Sequence, residues 1–157
     1  RHLVQLPGGK SKSIEILDTA GSFSFPAMRE VYIRSSDSFL IVIALDDKDS
    51  LEYAINMKKE IVAIKGDSIP MLLVGNKDDA AKREISPELA AATAKEHFGS
   101  AYIETSAKTG RNCQQMLVRI CTGDLKQNAM MEVVKKQGSL KKITRKSSKK
   151  TFRIYTK

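Results

Sequence analysis

The residues best suited to chemistry are Asn76, Lys77, Asp78 and Asp79, which follow the apolar run Met71-Leu72-Leu73-Val74 and a single glycine, Gly75. An amide, an ammonium and two carboxylates in one short turn suit a purine base. A carboxylate at Asp79 can accept two N–H bonds from a guanine edge, which adenine cannot offer. The aliphatic stem of Lys77 can lie along the ring, and Asn76 can tie neighbouring loops together. Asn and Asp are also ordinary turn residues, so this stretch alone reads equally as a solvated strand-to-helix turn. The apolar run before it is too short for a helix and reads as a strand buried on both faces. In an open parallel sheet the carboxyl edge of such a strand is where ligands bind.

Two further stretches have the same setting. Asp18-Thr19-Ala20-Gly21 follows the strand-like Ile14-Glu15-Ile16-Leu17, and Glu104-Thr105-Ser106-Ala107-Lys108 follows Ala101-Tyr102-Ile103. In this order and setting the three motifs resemble those of the Ras-type small GTPases, and the resemblance runs from about Arg1 to about Asp124. Around the first motif it includes Ala27-Met28-Arg29 and Tyr32-Ile33-Arg34. Phe25-Pro26-Ala27-Met28-Arg29 is similar to the Ras-dva and dexamethasone-induced branch.

The resemblance implies a guanine-nucleotide switch that binds GTP or GDP with Mg²⁺ and hydrolyses GTP. Asn76, Lys77 and Asp79 match the base-recognition motif, with Asp78 at its variable position. Ser106, Ala107 and Lys108 match the second base element, where the Ala107 N–H would meet the guanine carbonyl oxygen and reject adenine. Asp18 matches the acid that holds Mg²⁺ through a water. Gly21 matches the residue whose N–H reaches the γ-phosphate, and without a Cβ it permits close approach. Effector, exchange and activating proteins would meet the loop 20–34. The family places such a protein in the cytoplasm, in part at the inner face of the plasma membrane.

Two departures bear on activity. Ser22 stands where the family has the glutamine that orients the attacking water, and misplacing that water lowers hydrolysis on the order of 10²-fold. Gly9-Lys10-Ser11 is not a phosphate loop, because Val4 occupies the position that needs the first glycine and a strand follows instead of a helix. The family pattern expects roughly forty residues ahead of Arg1, carrying the phosphate cradle and the first strand. The 157 residues alone are therefore expected to bind GTP weakly, to turn it over little if at all, and to fold uncertainly without that strand. The alternative to a switch is a GTPase-like binding module without turnover. A third reading, nucleic-acid binding through the basic tail, ranks last because Phe152 and Tyr155 are the only stacking aromatics there.

Charge divides the chain. Its net charge of +9 arises entirely after residue 134, because residues 135–157 hold ten Lys/Arg and no acid. Such an arm points to a partner surface rather than to a fold. An anionic membrane is one expected contact, with phosphorylation of Ser139, Thr144, Ser147, Ser148 or Thr151 releasing it; a solvated tail that aids solubility or a nuclear import signal is the equal alternative. The last four residues, Ile154-Tyr155-Thr156-Lys157, are not a prenylation box. Cys113 and Cys121 lie eight positions apart on one expected helix, roughly 12 Å, too far for a disulfide.

The elements that must position these motifs follow from spacing. His2–Leu6 and Ser13–Leu17 read as a hairpin around Pro7-Gly8-Gly9-Lys10. Ser38–Leu45, the longest apolar run, reads as a central parallel strand. A helix begins near Leu51 with Asp47 or Asp49 as its cap. Ser86-Pro87 opens another helix, which runs to Phe98 and stops at Gly99. Asn112 and Gln115 have capping-box spacing ahead of Cys113, Met116, Leu117, Ile120 and Cys121 on one face. The expected architecture is α/β: a P-loop NTPase-type, mostly parallel sheet with helices on both faces and the first strand and P-loop missing. Its domains would be a partial GTPase domain over 1–124 and, over 125–157, a helix extension with a basic tail expected to be disordered.

Overall fold

A computed structural model describes residues 1–19, 26–99 and 101–125, together with the backbone pairing of 150–156. The elements are β1 (His2–Leu6), β2 (Lys10–Asp18), α1 (Pro26–Ser35), β3 (Ser38–Ala44), α2 (Asp49–Lys65), β4 (Met71–Asn76), α3 (Pro87–Phe98), β5 (Tyr102–Glu104), α4 (Cys113–Thr122) and β6 (Lys150–Thr156). They form a six-stranded sheet in the order β1-β2-β6-β3-β4-β5. Only β1–β2 is antiparallel, as the hairpin composition predicts, and the other pairs are parallel.

Both faces of the sheet are covered, which explains the unbroken apolar runs of β3 and β4. The two-residue period of a strand sends Phe39, Ile41, Ile43 and Leu73 to one face, under α1, α2 and α3. Leu40, Leu72 and Val74 go to the other, with Ile120 and Cys121 of α4. Cys121 is buried and Cys113 half-buried, and neither forms a disulfide among the described residues.

The local signals were realised unevenly. Ser86 caps α3 by accepting the Leu89 N–H at 3.2 Å, Pro87 is the first helical residue, and Gly99 closes the helix in the left-handed region. At α2 the cap position falls on Lys48, while Asp47 Oδ1 takes the Asp49 N–H at 3.0 Å. The expected capping box at α4 does not form. Asn112 adopts a left-handed backbone with φ 58° and sends its amide to the Glu104 carbonyl at 2.8 Å, so tertiary contact outcompetes the local cap.

The largest correction concerns the tail. Residues 150–156 do not lie in a disordered arm; their backbone forms β6, between β2 and β3, in the middle of the sheet. Ile14–Asp18 align with Lys150–Ile154 on one side, and Ser38–Val42 with Phe152–Thr156 on the other. The expected helix extension over 125–137, and the tail as far as Lys149, lie outside the described residues apart from Leu125, which packs on the face under α4.

Candidate functional site

The carboxyl ends of β4 and β5 bring two of the three motifs together. β4 runs through Gly75 to Asn76, and β5 ends at Glu104, with Gly75 and Glu104 in register. Asn76 ties the loops as its position suggested, its Oδ1 accepting the Ala107 N–H at 3.0 Å and approaching Thr105 Oγ1 at 3.5 Å. The Ala107 N–H is thus given to Asn76 within the protein. Ser106, fully buried, donates its hydroxyl to Asp79 Oδ1 at 2.5 Å and accepts the Thr109 N–H at 3.0 Å. That bond from Ser106, with help from the Lys108 charge, holds the exposed Asp79 carboxyl below the usual carboxylate range. Asp79 is therefore an ionised acceptor facing solvent at neutral pH.

Lys77 has φ 67°, a left-handed backbone that costs free energy in a side-chain-bearing residue. Its ammonium is anchored by both oxygens of Asp46, at 2.8 and 2.9 Å, so its stem is held across the edge between β3 and β4. In the sequence Asp46 and Asp47 stand out as a pair of acids just past a buried strand, and the structure gives Asp46 the task of holding Lys77. Lys108 is exposed beside Ala107. Asp18 is exposed at the end of β2, two strands from β3, while Gly21 and Ser22 lie outside the described residues.

Behind the loops is a polar lattice that the motifs did not announce. Arg83 binds Glu104 with both terminal nitrogens, at 2.8 and 3.1 Å, and its Nε donates to the Ile85 carbonyl at 3.1 Å. Tyr102 donates to Glu104 Oε1 at 2.9 Å. The Arg83 hydrogen bonds, aided by Tyr102, hold the Glu104 carboxyl low against the effect of burial, while burial pushes the Tyr102 phenol far up. Gly75 is required here. A Cβ on it would stand 2.5 Å from the Tyr102 hydroxyl and 2.9 Å from Leu45 Cδ2.

A mostly parallel sheet covered on both faces, with Asn-Lys-Asp-Asp and Ser-Ala-Lys turns joined at one carboxyl edge, fits the fold of the P-loop GTPases. The sequence pattern of the Ras family matches residues 3–125, and the chain belongs to that family. It is 36% identical over 134 residues to the GTP-binding protein Di-Ras1 of Homo sapiens, covering 84% of this chain and 67% of that protein. It is 35% identical over 149 residues to the Ras-related protein Ral-B of Rattus norvegicus, covering 92% and 69%. To the Ras-related protein O-RAL of Diplobatis ommata it is 40% identical over 111 residues, covering 69% and 53%. The chain spans about half to two thirds of the length of the curated relatives it matches. These relatives do not carry the narrower assignment to the Ras-dva branch.

Proposed function

We propose that this chain belongs to a guanine-nucleotide switch that binds GDP and GTP and hydrolyses GTP slowly. The observation that carries the reading is the joining of Asp79 to Ser106 and of Asn76 to Ala107, which puts an ionised carboxylate and a backbone donor on one edge. Asp79 would accept the two N–H groups of guanine. The Ala107 N–H would be shared with, or turned from, Asn76 to meet the base carbonyl. Lys77, anchored by Asp46, would cover the ring, and Lys108 would flank it.

Asp18, exposed at the end of β2, suits Mg²⁺, which draws one or two carboxylates from protein and the rest of its shell from phosphate and water. When bound, Mg²⁺ would neutralise charge on the transferring phosphoryl group. Gly21 would donate its N–H to the γ-phosphate. Ser22, two carbons shorter than the family glutamine, would position water poorly, and Ser22→Gln should speed single-turnover hydrolysis.

Effector, exchange and activating proteins would approach through 20–34. Met28 and Val31, both exposed on α1, support that surface. Anionic membrane contact would fall to residues 135–149, seven of which are Lys or Arg, because 150–156 are engaged in the sheet. With these two surfaces, we read the protein as cytoplasmic and in part at the inner face of the plasma membrane.

The test is competition between guanosine and xanthosine diphosphates in the native polypeptide, including any residues that precede Arg1. Asp79→Asn should weaken guanine binding and favour xanthine, whose extra carbonyl accepts from an amide. An unchanged preference overturns the base assignment.

A further inference from the structure

The variable position of the first base motif is occupied by an acid whose side chain points inward. Asp78 lies between two exposed residues, Lys77 and Asp79, yet its side chain is only 2% exposed. Among the described residues, no hydrogen bond reaches either of its buried oxygens. Its compensation is a charge: Arg111 Nη1 stands 2.6 Å from Oδ2. A carboxylate withdrawn from water without hydrogen bonds is strongly unfavourable, so its place depends on that guanidinium.

The backbones of the same two residues are fastened to the same strip of chain. The Asp78 N–H donates to the Thr105 carbonyl at 3.1 Å, and the Arg111 carbonyl accepts the Ser106 N–H at 3.1 Å. The pair therefore spans from the turn that carries Asn76 and Asp79 to the loop that carries Ser106 and Ala107. It is also continuous with the lattice behind. The Arg83 guanidinium is held up first by its bond to Glu104 and, more weakly, by the Asp78 charge. The Glu104 carboxyl is held down first by Arg83 and, last, by Arg111. Four charges of alternating sign thus sit behind the edge on which a base would lie.

We propose that Asp78 and Arg111 are positioning residues: an ion-pair clamp that sets the spacing of the two base-recognition loops and so tunes guanine affinity and selectivity. The proposal rests on the guanine-binding reading above. Neither residue touches the base. They act by fixing where the Asp79 carboxylate stands relative to the Ala107 N–H, two groups that must meet opposite edges of one rigid ring.

The experiment measures dissociation of fluorescent GDP, the ratio of GDP to inosine diphosphate affinity, and amide hydrogen exchange in the native polypeptide. The Arg111 side chain is itself 60% exposed, so only the carboxylate of the pair is buried. Arg111→Ala should speed GDP dissociation roughly tenfold, since removing the charge that faces a buried carboxylate acts mainly on the off-rate. It should also narrow the preference for GDP over inosine diphosphate, which lacks the 2-amino group, while Arg111→Lys recovers part of both. Asp78→Ala added to Arg111→Ala should cost less than the two changes separately. Exchange should quicken at the Asp78 and Ala107 amides and stay constant in α2. Dissociation and preference within twofold of the unsubstituted protein overturn the clamp. If the unsubstituted protein takes no GDP, the functional reading fails; exchange at Asp78 and Ala107 unmoved by Arg111→Ala then overturns the clamp as well.

Discussion

The β4–β5 edge, the base side in the proposed function, and the β2–β6–β3 strip are held together by different means. At the base-side edge, β5 contributes only three residues to the sheet, and side chains add to the few backbone bonds there: Arg83 to Glu104, Asp79 to Ser106, Asn76 to Ala107, Asp78 to Arg111. In the strip, five aligned pairs on each side of β6 make a backbone ladder between strands that do not otherwise pair. Side-chain bonds depend on residue identity and fix loop positions closely. Ladder bonds need only an extended backbone with free N–H and C=O groups. The first region should therefore be sensitive to which residue is present, and the second to whether a strand can form at all.

The largest effect is expected in the strip. Ile154→Pro removes an N–H from a strand paired on both sides, where proline is not tolerated, and should lower unfolding stability by on the order of 3 kcal/mol. Urea unfolding followed by circular dichroism measures it. A loss below about 1 kcal/mol, the size of one net hydrogen bond, would mean that β6 does not hold the sheet together.

Next comes Gly75→Ala, which tests packing on the base side. The added methyl meets the Tyr102 hydroxyl and Leu45, and overpacking of this kind costs about 1–3 kcal/mol. Tyr102→Phe in the same background removes the oxygen at 2.5 Å and should restore part of the loss. If it restores nothing, Leu45 is the controlling contact.

Glu104→Gln sharpens the electrostatic side of the comparison. Breaking its charge-assisted bonds to Arg83 should cost about 1.5–3 kcal/mol near neutral pH. Because the folded carboxyl is held low, first by the Arg83 hydrogen bonds, the stabilisation is present above the ordinary glutamate value of about 4.3. It is lost as pH falls through the still lower folded value. Unfolding measured from neutral pH downward should show the two proteins converging in acid, and a gap that stays constant would show that charge is not what Glu104 contributes.

The smallest effect on stability is expected from the basic arm. Replacing the seven Lys and Arg residues between 135 and 149 by Ser should move stability by no more than about 0.5 kcal/mol. The same change should abolish low-salt sedimentation with phosphatidylserine vesicles, to which each basic residue contributes about 1 kcal/mol at most. Unaltered pelleting, or pelleting indifferent to salt, would remove the electrostatic reading of the arm.

Much of the base-side edge was legible because its determinants are local. Apolar runs of strand length end at Gly75-Asn76 and at Glu104, and Ser86-Pro87 and Gly99 bracket a helix with residues that cap it directly. A turn's chemistry is written in a few consecutive residues, so the two loops could be placed at strand ends before any tertiary contact was known. Asn112 marks the limit of such reading: its spacing to Gln115 favours a cap, but the Glu104 carbonyl, eight residues back and brought near by β5, takes its amide.

By itself the sequence determined the alternation of strands and helices, the parallel sheet buried on both faces, and which turns carry Asn76, Asp79 and Ser106. Only the tertiary structure decided that Lys150–Thr156 is a central strand. Its partners lie more than 100 residues away, and ladder bonds are indifferent to the side chains by which a sequence is read. The tertiary structure likewise decided that Asp46 holds Lys77, that Arg83 holds Glu104 and that Arg111 neutralises Asp78. A lone charge in a loop carries no mark of its partner, because Coulomb attraction depends on distance in space and burial, and neither exists until the chain has folded.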